Sequence, residues 1–255
     1  MEIAIVTGTS SGLGREFVRQ IDQRYSLDEI WIIARREDRL RALSREIQTT
    51  TRILPLDLSK RESIDSITEM LTEENYRIKL LVNNAGYGKR GSFKSIGLKT
   101  QLQMIDLNVR ALVHLTYVCL DYMDNGDQII QVASSAGFLP IPNFTTYSSS
   151  KAFVMHFANG LAAELQDRGI TVTAMCPGPV NTEFQTVAHE GGAGEFNRIA
   201  PDPAPVVSKA LEDASGQKWF SLYGWYIKLL SFLVRLLPKK FLAKSAIRYN
   251  AKRFE

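Results

Sequence analysis

The sequence predicts an α/β protein in which a doubly wound, mostly parallel seven-stranded sheet carries helices on both faces. Two observations support this prediction. Short apolar runs alternate with longer amphipathic segments up to about residue 223, and the apolar runs are continuous, as in strands buried on both faces. A chain of 255 residues fits one large domain, so we expect a single domain over 1–224 and a C-terminal extension over 225–255.

Seven strands are predicted from the apolar runs, and six helices from the segments between them. The strands are the runs at 3–7, 30–34, 53–57, 80–84, 129–134, 172–176 and 218–223. The intervening segments repeat apolar residues at helical spacing. The helices are therefore placed at about 13–24, 37–48, 61–73, 98–121, 147–167 and 205–214. Residues 183–204 show no such pattern and contain three glycines, which predicts a loop able to close over a substrate.

The cysteine and histidine content argues against disulfide staples and metal sites. Cys119 and Cys176 lie inside apolar segments, which is typical of buried thiols in a reducing compartment. His114, His156 and His189 show no metal-ligand spacing, so no metal is predicted. The first residues do not resemble a signal peptide and no run of 18 apolar residues occurs, so we expect a cytoplasmic protein.

Charge is distributed unevenly along the chain. Residues 218–255 contain nine Lys/Arg and one acid, a net charge of +8, whereas 1–217 carries −4 and the whole chain +4. A nucleic-acid-binding domain instead lines one folded face with basic and aromatic side chains. We therefore expect no nucleic-acid partner.

The basic C-terminal segment is predicted to be an amphipathic helical extension. Residues 225–237 place Lys228, Ser231 and Arg235 on one narrow polar stripe of an otherwise apolar helix. Pro238 ends that helix, and a second basic stretch follows. Two interpretations stay open. The extension covers the pocket or a neighbouring subunit, or it makes a peripheral contact with a membrane surface.

A glycine-rich turn follows the first strand directly and opens the first helix. The segment VTGTSSGLGR at 6–15 contains Gly8, Gly12 and Gly14, which permit a tight turn and a close approach of the backbone to a ligand. A helix N-terminus there presents free N–H groups to an anion. The arrangement indicates a dinucleotide site, although the glycine spacing differs from G-x-G-x-x-G.

The end of the second strand favours NADP(H) over NAD(H). Arg35 lies 21 positions after Gly14, Arg36 follows it, and no acid occupies the strand end. An acid about 20 residues after the glycines is typical of NAD sites, whereas an arginine accommodates the 2′-phosphate of NADP. The alternative is that both arginines are ordinary surface charges.

The segment YSSSK at 147–151 places a phenol and an ammonium one helical turn apart. A cation near Tyr147 favours its phenolate and lowers its pKa, so Lys151 is predicted to make the phenol a usable proton donor and acceptor. Taken alone, a Tyr-x-x-x-Lys pair is also common on helix surfaces. The other motifs decide between these interpretations.

Taken together, the motifs resemble those of the short-chain dehydrogenase/reductase family. The match is carried, in the family's order, by TGTSSGLG at 7–14, NNAG at 83–86, Asn108 in DLNV, SS at 134–135, YSSSK at 147–151 and PGPVNT at 177–182. The resemblance covers roughly residues 3–223 and implies a Rossmann-type fold. The C-terminal extension lies outside it.

The resemblance implies a role for each matching residue. Tyr147 exchanges a proton with the substrate oxygen, Lys151 lowers its pKa and binds the nicotinamide ribose, Ser134 holds the oxygen, and Asn108 organises the helix and a water relay. The implied catalytic residues are Asn108, Ser134, Tyr147 and Lys151. The implied cofactor-binding residues are Gly8, Ser10, Ser11, Gly12, Leu13, Gly14, Arg35, Arg36, Asp57, Leu58, Asn84, Ala85, Gly86, Tyr147, Lys151, Pro177, Gly178, Val180 and Thr182.

The expected function is hydride transfer between NADP(H) and a carbonyl or secondary alcohol. Reduction of a hydrophobic ketone or 3-oxoacyl compound is favoured, since the residues expected near the pocket are apolar. These residues are Tyr87, Phe93, Phe138, Leu139, Ile141, Phe144 and Phe184. The alternatives are an alcohol dehydrogenase working oxidatively and a catalytically silent NADP(H) sensor or scaffold on the same fold. Lys89 and Arg90 are interpreted as a solvated loop, and the alternative is that they receive an anionic carrier at the mouth of the pocket.

A homodimer is also predicted. The segments 98–121 and 147–167 are richly apolar, and related enzymes pair these helices across a two-fold axis. The apolar residues are Leu102, Ile105, Leu112, Leu115 and Val118 on one segment, and Phe153, Phe157, Leu161 and Leu165 on the other. Some of them must cover the sheet instead.

Overall fold

A computed structural model describes residues 1–188 and 200–251 of the chain. Its centre is a seven-stranded sheet in which every pair of neighbouring strands is parallel, in the order β3-β2-β1-β4-β5-β6-β7. The strands are β1 Glu2–Thr7, β2 Glu29–Ile33, β3 Thr50–Leu54, β4 Arg77–Asn83, β5 Gln128–Val132, β6 Thr171–Met175 and β7 Phe220–Ser221. The predicted doubly wound Rossmann-type fold is confirmed.

The strand order reverses between β1 and β4, which are direct neighbours in the sheet. Successive crossovers leave in opposite directions from this point, so a crevice opens there at the carboxyl ends of the strands. The inner strands are buried on both faces because helices cover each side, and two apolar clusters form the core. The fold thus fixes where the glycine turn after β1 and the NNAG segment after β4 meet.

Ten α-helices are described. They are α1 Gly12–Arg24, α2 Glu37–Ser44, α3 Arg61–Glu73, α4 Leu98–Ile105, α5 Leu112–Cys119, α6 Thr145–Glu164, α7 Phe184–Ala188, α8 Pro203–Ser215, α9 Trp225–Leu236 and α10 Lys239–Ala251. Part of the loop predicted at 183–204 is therefore helical, while residues 189–199 of that loop lie outside the described part of the chain.

Three elements differ from their predicted limits. Strand β3 ends at Leu54 because Pro55 has no N–H to donate to a neighbouring strand, so the strand predicted at 53–57 begins and ends earlier. Strand β7 is only two residues long, as expected for a short edge strand. The single helix predicted at 98–121 is interrupted, since a π-helical segment, Asp106–Ala111, separates α4 from α5.

The C-terminal extension forms the two predicted helices, α9 and α10, with Pro238 between them. Among the residues the structure describes, no helix is both long enough and apolar enough to cross a membrane.

Candidate active site

The glycine turn between β1 and α1 is shaped by backbone conformation and close contact. Gly8 and Gly12 adopt φ values of 72° and 55°, which side-chain-bearing residues rarely adopt. A Cβ on Gly14 would lie 2.2 Å from the carbonyl oxygen of Gly8. Glycine is therefore needed at all three positions, and the backbone N–H groups at the start of α1 line a concave surface.

The NNAG segment is held against this turn by hydrogen bonds. The Thr7 hydroxyl accepts the N–H groups of Asn84 and Ala85, each at 2.9 Å. The Asn84 amide donates to the carbonyl oxygens of Thr7 and Gly8 at 2.9 and 3.2 Å. The two motifs therefore form one rigid unit at the point where the strand order reverses.

The arginines after β2 border the glycine turn. The Arg36 guanidinium donates to the Ser10 hydroxyl at 3.0 Å and to a carboxylate oxygen of Glu183 at 3.0 Å. Arg36 and Arg39 together hold the pKa of Glu183 below its usual value. Arg35 is exposed and lies on the same wall. Both guanidinium groups thus border the same side of the cavity.

After β3, Asp57 accepts the backbone N–H and the hydroxyl of Ser59 at 3.1 and 2.7 Å. This turn fixes the carboxylate beside the cavity, and the adjacent Leu58 is buried under it.

These elements surround a cavity of about 510 Å³ at the carboxyl edge of the sheet. A cavity of this size is typical of small-molecule and cofactor sites. The predicted residues that line it are Gly8, Ser10, Ser11, Gly12, Leu13, Arg35, Arg36, Asp57, Leu58, Asn84, Ala85, Gly86, Ser134, Tyr147, Lys151, Pro177, Gly178, Val180 and Thr182. Gly14 and Asn108 do not line the cavity. Gly14 packs against the Gly8 carbonyl within the glycine turn, and Asn108 is fully buried.

Tyr147 lies in an aromatic wall of the cavity. Its ring stacks on Phe144 with centroids 4.3 Å apart and lies 5.3 Å from the ring of Phe184. Burial raises the pKa of Tyr147 to about 12, while a hydrogen bond with Ser134 and the charge of Arg90 act in the opposite direction. The phenol is therefore a protonated hydrogen-bond donor at neutral pH.

Lys151 is buried beside Tyr147 on α6. Its ammonium donates to the Val132 carbonyl oxygen at 2.7 Å and lies 6.0 Å from the centroid of the Tyr147 ring. Burial lowers the pKa of Lys151 to about 8. The prediction that Lys151 lowers the pKa of Tyr147 is wrong for this arrangement. The ammonium is directed at a backbone carbonyl, and desolvation of the phenolate dominates.

Asn108 connects the π-helical segment to the cavity wall. Its side-chain oxygen accepts the N–H of Tyr87 at 3.0 Å, and its amide donates to the Tyr87 carbonyl at 2.9 Å and to the Ser150 hydroxyl at 3.1 Å. A Cβ on Gly86 would lie 2.9 Å from the Asn108 oxygen and 3.4 Å from the Lys151 nitrogen. Asn108 is thus adjacent to Lys151 and positions the NNAG loop.

The substrate side of the cavity differs in part from the prediction. Tyr87, Leu139, Ile141, Phe144 and Phe184 line it as expected. Phe138 packs against the core instead, and Phe93 is exposed.

Among the lining residues that sequence reasoning did not assign to the site, two bear on the substrate side. Arg90, interpreted as part of a solvated loop, is half-buried on the wall, with its guanidinium 4.4 Å from the centroid of Phe144. Arg90 comes three residues after Tyr87, which was expected near the pocket, so its position in the sequence already suggested that it lies near the cavity. Leu230 reaches the cavity from α9, outside the family motifs. Within the described ranges, no group of His, Cys, Asp and Glu could hold a metal ion.

Comparisons with known proteins agree with this geometry. The sequence profile described as short chain dehydrogenase matches residues 2–191. Sulfoacetaldehyde reductase 2 of Chromohalobacter salexigens is 33% identical over 212 residues, which cover 80% of this chain and 83% of the relative. The NADP-dependent 3-hydroxy acid dehydrogenase YdfG of Escherichia coli K12 is 31% identical over 223 residues, covering 86% and 88%.

Solved structures show the same fold. A short-chain dehydrogenase from Sphingobium yanoikuyae in complex with NADPH has a TM-score of 0.78 and 25% identity, and the match covers 89% of each chain. The closed form of a serine dehydrogenase complexed with NADP+ has a TM-score of 0.76 and 28% identity, covering 86% of this chain and 94% of the other. These two similar structures thus contain the phosphorylated dinucleotide.

Proposed function

The chain belongs to the short-chain dehydrogenase family, and on that premise we propose that it reduces an apolar ketone or 3-oxoacyl compound with NADPH. One observation carries the proposal. The Tyr147 phenol, Ser134 and the Lys151 ammonium lie together on the wall of a cavity that also contains the glycine turn. A proton donor and a dinucleotide cradle therefore border one space.

Different residues of the site transfer the proton and orient the substrate. Ser134 and Tyr147 both donate hydrogen bonds to the substrate carbonyl oxygen, and Tyr147 passes its proton to that oxygen as negative charge develops. Lys151 lies on the same cavity wall as the phenol, where its ammonium would bind the nicotinamide ribose of the cofactor. Asn108 keeps the adjacent loop in place through Tyr87. Bound NADPH supplies the hydride.

The cofactor of this proposal is NADP(H). Arg35 and Arg36 flank the glycine turn, and the carboxylate near them, Glu183, is already paired with Arg36 and Arg39. A guanidinium that bonds one carboxylate in this geometry is suited to a phosphate as well. The NADP-dependent relative and the two NADP-containing structures support the same choice.

The aromatic and aliphatic wall around Tyr147 supports an apolar substrate. Phe144 and Phe184 contact the phenol ring directly, and Leu139, Ile141 and Leu230 extend the apolar lining. Such a wall excludes water from the reacting carbonyl, which strengthens each hydrogen bond to its oxygen.

A second candidate substrate carries an anionic group in addition to the carbonyl. The observation that favours it is Arg90, whose guanidinium is half-buried on the substrate side of the cavity and whose charge acts on Tyr147. The relatives named for sulfoacetaldehyde and 3-hydroxy acids have substrates of this kind. The two candidates differ in whether Arg90 contacts the substrate.

Oxidation of an alcohol by the same residues is the reverse reaction and remains an alternative. A silent NADP(H) sensor is the alternative from another class, and it predicts cofactor binding without turnover. The burial of Lys151 beside Tyr147 argues against the sensor, because burying an ammonium has a cost that a sensor need not bear.

A substrate panel with both cofactors tests the proposal. We expect turnover of apolar ketones or 3-oxoacyl thioesters with NADPH, and turnover of sulfoacetaldehyde or 3-oxo acids if the second candidate holds. Arg35→Ala/Arg36→Ala should weaken NADPH binding with little effect on NADH, since each lost charge-assisted hydrogen bond is worth about 1.5–3 kcal/mol.

Arg41→Ala is the matched control, because Arg41 is exposed and pairs with Glu37 outside the cavity. Equal kcat/KM for the two cofactors in the parent protein would contradict the NADPH assignment. NADPH binding without turnover of any carbonyl or alcohol in the panel would favour the sensor.

A further inference from the structure

Helix α9 has an inner face that closes the cavity. Ile227, Ser231 and Val234 are buried, and Leu230 lines the cavity wall. Ile227 packs so tightly on Gly178 that a Cβ there would come within 2.9 Å of its Cδ1 atom. The Ser231 hydroxyl, predicted to lie on a narrow polar stripe, is buried and donates to the Lys228 carbonyl.

The opposite face of α9 is apolar and exposed. Its residues are Trp225, Leu229, Phe232, Leu233 and Leu236, whose spacings of 4, 7, 8 and 11 from the first place them on one side of a helix. We call this set the outer face. Trp225 is 76% exposed, Phe232 61% and Leu236 66%. Leu237 and Phe241 continue the exposed apolar surface towards α10.

An exposed patch of this composition marks an interaction surface, since monomeric proteins rarely leave contiguous large apolar side chains in water. Its surroundings are basic. Lys228, Lys239, Lys240 and Lys244 are all exposed, and no acidic residue occurs in 224–254. The surface therefore combines apolar side chains with positive charge, the pattern of helices that lie in a membrane interface.

We propose that the outer face of α9, together with the lysines of α10, docks on an anionic lipid surface. The helix lies parallel to the lipid plane, with its apolar side chains among the acyl chains and its lysines at the headgroups. This arrangement requires no spanning segment. It also makes one helix both a contact with lipid and a wall of the cavity.

Charge favours lipid over a second copy of the chain as the occupant. A two-fold contact through the outer face would bring two identical basic segments together, because each copy contributes the same patch. Like charges facing each other across an interface oppose association. An anionic bilayer instead attracts each lysine near its surface and receives the apolar side chains at the same time.

Vesicle co-sedimentation with the full chain tests the proposal. We expect the protein to bind vesicles of equal parts phosphatidylglycerol and phosphatidylcholine, and to bind pure phosphatidylcholine vesicles much more weakly. Binding should weaken at about 0.5 M salt, where charges are screened beyond a few ångströms. Leu229→Gln/Phe232→Gln/Leu236→Gln should reduce partitioning by at least about 100-fold, because three apolar side chains no longer enter the lipid.

Trp219→Gln is the matched control. Trp219 is also a partly exposed aromatic residue, but it precedes β7 and lies outside α9 and its outer face. This variant should bind vesicles as the parent does. NADPH binding, read by fluorescence, verifies that each variant is folded.

Lys239→Gln/Lys240→Gln/Lys244→Gln provides a second variant that leaves the outer face intact. It should lose the preference for anionic vesicles. The proposal is overturned if the parent stays in the supernatant with anionic vesicles, or if both the triple glutamine variants bind as tightly as the parent. A triple variant of the outer face that changes the oligomeric mass but not vesicle binding would assign the face to a second copy instead.

Discussion

Lys151 and Tyr147 illustrate how burial sets proton affinity in this site. Desolvation disfavours the charged form of each group, so the pKa of the ammonium falls to about 8 and that of the phenol rises to about 12. The two pKa shifts have opposite directions, so burial favours the uncharged form of both side chains. The lysine loses its proton around pH 8, well below its ordinary value, whereas the tyrosine keeps its proton until negative charge forms on the substrate oxygen.

The lowered pKa of Lys151 makes stability depend on pH in a defined window. Between about pH 8 and the ordinary lysine value of 10.5, the unfolded chain binds the proton more strongly than the folded chain. The folded state therefore gains stability as pH rises through this window. Relative to Lys151→Met, the free energy of unfolding of the parent should increase by about 2 kcal/mol from pH 8 to 10.

Denaturant unfolding of both proteins across this range measures the effect. Ionisation of Tyr147 is common to parent and variant and cancels in the difference. A difference that stays constant between pH 8 and 10 would show that the ammonium of Lys151 is not destabilised by burial.

For Tyr147 and Lys151, the sequence predicted where the side chains lie better than it predicted their pKa values. The spacing of Tyr147 and Lys151 correctly placed them on one helix face, because helical geometry depends only on sequence separation. Their pKa shifts depend on what surrounds them, and Phe184 and the Val132 carbonyl come from other parts of the chain. No local pattern contains that information.

The π-helical segment Asp106–Ala111 is the element most closely tied to the site. It lies between α4 and α5 and contains Asn108, whose side chain bonds both backbone groups of Tyr87. π-helical turns inside α-helices are frequent at functional sites. The apolar periodicity of 98–121 continues through this segment, which explains why a single helix was predicted.

Asn108→Ala should destabilise the protein, because it leaves the partly buried N–H and C=O of Tyr87 without their partner and empties a fully buried side-chain position. We expect a loss of about 2–4 kcal/mol in the free energy of unfolding, measured by denaturant titration. Asn159→Ala is the control. The Asn159 amide bonds only the Met155 carbonyl of its own helix, so its loss should cost less than about 1 kcal/mol. Equal losses for the two variants would contradict the positioning role of Asn108.

Helices α4 and α6 carry exposed apolar side chains that bear on the assembly of the whole molecule. Of the residues behind the dimer prediction, Leu112, Leu115, Val118, Leu161 and Leu165 are buried in the core and cover the sheet. Leu102, Ile105 and Phe153 are exposed, and Phe153 stacks on Phe157 with centroids 5.9 Å apart. The exposed subset is a suitable surface for a two-fold contact between α4 and α6 of two copies.

We therefore expect a homodimer at micromolar concentration and a monomer for Leu102→Gln/Phe153→Gln, both measured by light scattering. Leu229→Gln on α9 is the control and should stay dimeric, because α9 is a separate exposed surface. A monomeric parent protein would exclude the dimer.

The fold as a whole could be predicted because its signals are local and repeated. Buried parallel strands read as apolar runs, and the motifs after β1, β4 and β6 come at strand ends, which the fold brings together. Covering the pocket was one of the two interpretations of the extension, and α9 does so through Leu230. Which residue of α9 reaches the cavity could not be predicted, since α9 returns to the site only through the path of the chain. The same holds for the inward orientation of Ser231.

The central claim is that Tyr147 donates the proton in carbonyl reduction, and its most direct test is the kcat of Tyr147→Phe with NADPH and the best substrate of the panel. Loss of general acid catalysis should lower kcat by about 10²–10⁴-fold, while the Kd for NADPH stays within about threefold of the parent value. Tyr117→Phe removes a hydroxyl from an exposed residue and should have no effect. A Tyr147→Phe protein that keeps the parent's kcat would contradict the account.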